Sequence, residues 1–135
     1  MNVPVVENLN FMYKQNFLSK INYFFWDKIN PEPNNQSEND FIVTYVFYDI
    51  YLNDAFLKRS TDNFFYLDPG VGCEKKCVKI KTVFYEKKTN TFFFSEFSKE
   101  VCFISPPDRY CNLKINLSLL IKTIAYIFLI NLMEK

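Results

Sequence analysis

The side chains with chemistry to offer are four cysteines, Cys73, Cys77, Cys102 and Cys111, in a 135-residue chain that contains no histidine. Four thiols can close disulfides in three connectivities, hold a metal as thiolates, or stay buried and unlinked. As disulfides they staple a hairpin to its neighbours and imply an oxidising compartment, and the Pro-Pro turn between Cys102 and Cys111 offers to bring those two together. As a zinc site they depart, with three and eight intervening residues, from the tight pairs that zinc knuckles use, so no metal is expected. None has a neighbour that marks it as a nucleophile.

The missing histidine removes the usual general base near neutral pH and the commonest nitrogen ligand for metals. Triads built on Ser-His or Cys-His are excluded. The carboxylates of Asp49, Asp54, Asp62 and Asp68 have no spacing that pairs them, and two glycines in the whole chain, Gly70 and Gly72, cannot make a phosphate-cradling loop. The expectation is a protein that is not an enzyme and uses no cofactor. Sixteen Lys and Arg against 15 Asp and Glu give a net charge of +1, which argues against a general grip on nucleic acid. Lysines do gather between Lys75 and Lys88, but Glu74, Glu86 and Glu96 interrupt them.

The elements that must position these groups read as strands. From Cys77 to Glu86 and from Thr91 to Phe97 the chain is rich in Val, Ile, Thr, Phe and Tyr, and Lys87-Lys88-Thr89-Asn90 forms a polar loop whose Asn suits a left-handed backbone. The hairpin register sets Glu86 opposite Thr91, Phe84 opposite Phe93, Thr82 opposite Ser95 and Ile80 opposite Phe97, and pairs Lys81 with Glu96 on the other face. Phe41 to Leu52 reads as a strand buried on both faces, and Phe64 to Leu67 and Val101 to Ile104 as shorter ones. Apolar side chains at Leu9, Tyr13, Phe17, Ile21, Phe24 and Phe25 predict an amphipathic helix over 8–29, with a strand around Tyr23 to Trp26 as its competitor. The fold class expected is α+β and β-rich: a small antiparallel barrel or sandwich of about five strands, with an N-terminal helix and an apolar C-terminal helix.

One domain is expected over 1–112, followed by the apolar helix over 113–135. Within it, 115–133 is long enough to cross a bilayer or to pack as a buried helix on the sheet; Lys122, Asn116 and Asn131 interrupt it. Met1 to Phe11 lacks a basic start followed by an apolar run, so no secretory signal is expected there. Asn35-Gln36-Ser37 is a glycosylation acceptor at Asn35 if the chain is exported.

For function, inward aromatics are expected to line a pocket for a small, largely apolar ligand: Tyr45, Phe47, Phe84 and Phe93, with Trp26 closing one end and Asp49 supplying charge for a cationic ligand. The competing expectation is an interaction protein held to a membrane by its C-terminal helix, with a disulfide-free domain facing the cytosol. The oligomeric state is not legible.

The segment Asp68-Pro69-Gly70-Val71-Gly72, followed by Cys77-Val78-Lys79-Ile80 and the charged turn, resembles a strand of tick salivary lipocalins of the histamine-binding type. Trp26-Asp27-Lys28 and Phe41 to Tyr48 loosely resemble that family's Trp-bearing segment and aromatic strand, so the likeness covers about 64–97 and, more weakly, 23–52. The resemblance implies a small secreted barrel that captures an amine or a lipid mediator. Asn53 to Asn63 has no counterpart there, an apolar tail replaces the family's cysteine-bearing C-terminal part, and the family's amine-binding carboxylates map to no position in this chain.

Overall fold

The computed structural model describes residues 2–16, 19–31, 44–70, 72–106 and 109–134. Among them lie eight strands and one helix: β1 (Asn10–Gln15), β2 (Lys20–Phe25), β3 (Thr44–Leu52), β4 (Ala55–Ser60), β5 (Phe64–Leu67), β6 (Glu74–Glu86), β7 (Thr91–Phe97), β8 (Val101–Ser105) and α1 (Arg109–Met133). They form two antiparallel sheets, β1-β2-β5 and β4-β3-β6-β7, with β8 also paired to β6. This is a β-rich fold in two sheets and not a closed barrel. Asn35 and the start of the expected strand at Phe41 lie outside the described residues.

The expected helix over 8–29 is replaced by the β1–β2 hairpin. Along β2 and its continuation, Asn22, Phe24 and Trp26 are buried while Ile21, Tyr23 and Phe25 are half-buried, a period of two. Both faces of the strand are apolar, so alternation does not show as a change of polarity, and the apolar positions fall on a helical spacing by coincidence. Phe, Tyr and Asn are indifferent helix formers, and pairing with β1 and β5 decides the matter.

The two sheets close on each other around Phe24 and Trp26 from β2 and its extension, Phe65 from β5, Tyr48 and Ile50 from β3, and Val78 and Ile80 from β6. Phe24 and Phe65 stack with centroids 4.7 Å apart, and the Trp26 ring meets Tyr48 edge-on at 5.2 Å. A ring of this size buries 150 to 250 Å² or about that, which makes this layer the chief source of stability. At one end, Asn22 Nδ2 donates to Ser105 Oγ at 3.2 Å and Ser105 Oγ donates to the Pro69 carbonyl at 2.6 Å, tying the sheets together.

Strand β6 is the spine. From Val78 to Glu86 it pairs with the whole of β3, while its other edge is shared by β7 near the hairpin turn and β8 near its start. The hairpin turn is as expected, with Asn90 at φ 51° and Glu86 opposite Thr91, Phe84 opposite Phe93. The register then departs from expectation: Lys81, not Ile80, faces Phe97, because β7 carries one extra residue in a bulge. Serine side chains account for it. Ser95 Oγ accepts the Thr82 N–H at 2.9 Å and Ser98 Oγ accepts the Ile80 N–H at 3.0 Å, standing in for backbone carbonyls.

Strand β4 was not expected. It follows β3 through Asn53 and Asp54, both at positive φ (50° and 65°), the two-residue turn whose twist suits a hairpin. Helix α1 begins earlier than expected, at Arg109, and is joined to the sandwich by the Cys73–Cys111 disulfide. Of the two fates expected for the apolar span, packing on the sheet is not what the structure shows: none of Asn116–Met133 is buried.

Candidate functional site

All four cysteines are paired, as Cys73–Cys111 and Cys77–Cys102. The expected approach of Cys102 to Cys111 is not found, because β8 places Cys102 directly opposite Cys77 in the ladder, leaving Cys111 to meet Cys73. No thiolate remains for zinc. Glu100 Oε1 lies 3.3 Å from Cys102 Sγ, a contact with a sulfur that has no proton to donate and no coordination to offer.

The six residues expected to converge on a pocket divide among three places. Trp26 is in the core, 2 % exposed. Phe84 and Phe93 face each other on the core side of the larger sheet, beyond the layer covered by the smaller one. Tyr45, Phe47 and Asp49 lie on the opposite face of β3. That opposite face is the most distinctive surface of the molecule.

It is built by strand register. Tyr45, Tyr85 and Phe92 form one row, Phe47, Val83 and Phe94 the next, then Asp49, Lys81 and Phe97, with Arg59 beside Asp49 on β4. The last row holds Tyr51 and Lys79, with Phe56 across from Tyr51. Rings touch at both ends of the face: Tyr85 and Phe92 at 4.8 Å, Tyr51 and Phe97 at 5.0 Å, Tyr51 and Phe56 at 5.7 Å. Tyr45, Phe56, Phe92 and Phe94 are each more than two-fifths exposed.

The guanidinium of Arg59, on β4, reaches across the face to lie 5.9 Å from the Phe47 ring on β3 and 5.0 Å from the Phe92 ring on β7. Val83, in the row between these strands, is fully buried. Arg59 is held in place by Asp49, with Nε to Oδ1 at 2.7 Å and Nη2 to Oδ2 at 3.0 Å, a two-pronged pair on a carboxylate that is 3 % exposed. That hydrogen bonding raises the Arg59 pKa above its ordinary value against the opposing effect of desolvation. Asp49 therefore serves Arg59.

Two ammonium groups complete the surface. Lys79 Nζ and Lys81 Nζ stand 4.2 and 4.4 Å from the centre of the Phe97 ring. Lys79 also bonds Asp54 at 2.7 Å, which raises its pKa. Lys81 has no carboxylate partner among the described residues, in place of the expected pairing with Glu96: the bulge sets it opposite Phe97. The arrangement presents flat apolar rings and unneutralised positive charge to the same solvent, which suits a ligand that carries a ring face and an anionic group.

Two other surfaces bear on the choice. The outer face of the smaller sheet carries Tyr23, Phe25, Phe64 and Tyr66 in contact, with Lys14 Nζ 4.8 Å over Tyr23, but no fixed guanidinium. A half-open cleft of about 510 Å³ lies between residues 6–10 and 99–101 and contains no aromatic side chain. Tyr45, Phe47 and Asp49, expected in an inward pocket, instead lie on this outer face beside Arg59, Lys81 and Phe94, which the sequence did not single out as site residues. The signal for Arg59 was the Asn53-Asp54 turn, which sends β4 back beside Asp49. No family model, curated protein or solved structure matches this chain.

Proposed function

We propose that the protein is a non-catalytic recognition domain, anchored in a membrane by α1, that binds an acidic carbohydrate on the outer face of the larger sheet. The observation that carries the ligand class is the row of cations held over exposed rings, with Arg59 fixed by Asp49 and Lys81 left uncompensated. Sugar rings lay their C–H faces on aromatic side chains, and a carboxylate or sulfate on the sugar meets the ammonium or guanidinium. Because Asp49 is engaged, this face favours an anion over the amine that the family resemblance implies. Two disulfides support an oxidising compartment, where such ligands are displayed.

The anchor rests on the span Asn116–Met133, whose mean hydropathy is 1.7 and whose length is about 27 Å at 1.5 Å per residue, close to the hydrocarbon thickness of a bilayer. Cys111 precedes it by five residues, about 7 Å along the helix, so its bond to Cys73 sets the sandwich directly on the headgroups. The β6–β7 turn then points away from the membrane. This reading departs from the membrane alternative of the sequence, in which a disulfide-free domain faces the cytosol.

The test is binding of the full chain in lipid nanodiscs to immobilised sulfated, sialylated and neutral oligosaccharides. Retention on acidic glycans that weakens with salt and drops at least about fivefold in Lys81→Gln and in Phe94→Ser is the expected result. Equal binding to neutral glycans, or no loss in either variant, contradicts it.

A further inference from the structure

The apolar span of α1 carries one charged side chain, Lys122, and no counter-charge. We infer that Lys122 is the seat for a carboxylate of a different membrane-spanning helix, so that the chain assembles in the bilayer with a partner bearing Asp or Glu at the matching depth. The inference rests on the anchor reading above. Between Asn116 and Met133 the sequence has no Asp or Glu, and Lys122 is its sole charge. The span touches nothing in the sandwich that would neutralise it, since none of it is buried.

Depth decides the matter against simple escape to the surface. At 1.5 Å per residue Lys122 lies about 9 Å in from Asn116 and about 4 Å from the midpoint of the span. Side chains on a helix lean towards its N-terminus, here the domain side, but a lysine reaches roughly 6 Å and stops short of the headgroups. A lysine left alone near the bilayer centre costs up to about 3 kcal/mol, and such residues typically pair.

The helix surface around it suits a close neighbour. Ser118 and Ala125 stand at i−4 and i+3 from Lys122, on the same side, and small residues let a second backbone approach. The Thr123 hydroxyl is spent on the Leu119 carbonyl at 2.9 Å and offers no competing donor. A second copy of this chain is the wrong occupant, because matching depths would set Lys122 against Lys122.

The experiment reconstitutes the full chain in phosphatidylcholine vesicles with a labelled designed helix of about twenty Leu and Ala residues that carries one Asp at the depth of Lys122. Energy transfer reports association. Expected is association at least about tenfold tighter than for the same helix with Leu in place of Asp, lost in Lys122→Leu and kept in Lys122→Arg. Equal association of the Asp and Leu helices, or an undiminished signal in Lys122→Leu, overturns the inference. Alkaline carbonate extraction of the same vesicles separates the two readings. A chain that washes off overturns the anchor and the inference together, whereas a chain that stays and ignores the Asp helix overturns the inference alone.

Discussion

Asp49 and Arg59 show how one pair can govern both stability and surface character. Asp49 is almost wholly buried, so removing its partner leaves a carboxylate without compensation, whereas Arg59 is about one-third exposed and loses less. Arg59→Met is expected to lower stability in urea unfolding by about 2–4 kcal/mol, and the double change with Asp49→Asn to recover at least about half of that. An equal loss in single and double variants would contradict a coupled pair. Trp26 offers a second residue-scale test. Its Nε1 is buried with no hydrogen-bond partner, so Trp26→Phe removes an unsatisfied donor as well as volume. Thermal or urea unfolding should place Trp26→Phe within about 1.5 kcal/mol of the natural protein and Trp26→Ala about 3–5 kcal/mol below it. The raised pKa of Lys79 contributes stability that is fully present below the pKa of an unfolded lysine and is lost as pH rises through the higher folded value, so it changes only in alkaline solution. With no histidine in the chain, and with the pKa values of Arg59 and Lys79 raised above their ordinary values, glycan binding should be level from about pH 6 to 9. A midpoint inside that range would mean that some other group controls the face.

In the pairing of β6 with β7 two serines matter more than any charge. Ser95→Val removes the oxygen that accepts the buried Thr82 N–H, which should cost about 1–3 kcal/mol and speed hydrogen exchange at Thr82 relative to Val83. Unchanged exchange there would mean that the bulge is held by other means. The same bulge explains what sequence could and could not show. Near the turn, Asn90, Thr91 and Phe93 fix the pairing through local chemistry, and those positions were legible. Farther along, nothing in the period of two distinguishes a serine that faces inward from one that replaces a carbonyl, so Ile80 and Lys81 exchange places relative to the expectation. The expected N-terminal helix gives way to a strand for a related reason: β2 is apolar on both sides, as Tyr23 and Phe25 pair with Tyr66 and Phe64 outside while Phe24 and Trp26 fill the core. A strand with two greasy faces leaves no alternation to read. The helix at the C-terminus was legible because length and composition suffice, and its lack of contact with the sheet was not.

At the scale of the molecule, two disulfides connect the parts. Cys77–Cys102 fastens β6 to β8 within the sheet, and Cys73–Cys111 fastens the apolar helix to the sandwich. Loop-closure arguments give about 3–4 kcal/mol for each, so Cys77→Ser with Cys102→Ser should lower stability by roughly that amount, while loss of the other pair should free α1 without emptying the core. Candidate ligand residues that sequence placed in one pocket are distributed over two faces and the core, because a ladder alternates sides while a reading by composition gathers all aromatics inward. The claim on which membrane anchoring and surface recognition both depend is that the sandwich sits on the oxidising side of a bilayer, joined to the span by a covalent bridge. Non-reducing peptide mapping of protein retained in membranes after alkaline carbonate extraction tests it most directly. Cys73 linked to Cys111 and Cys77 linked to Cys102 is the expected result in that fraction; four free thiols there, or a Cys102–Cys111 link, would overturn this placement of the sandwich.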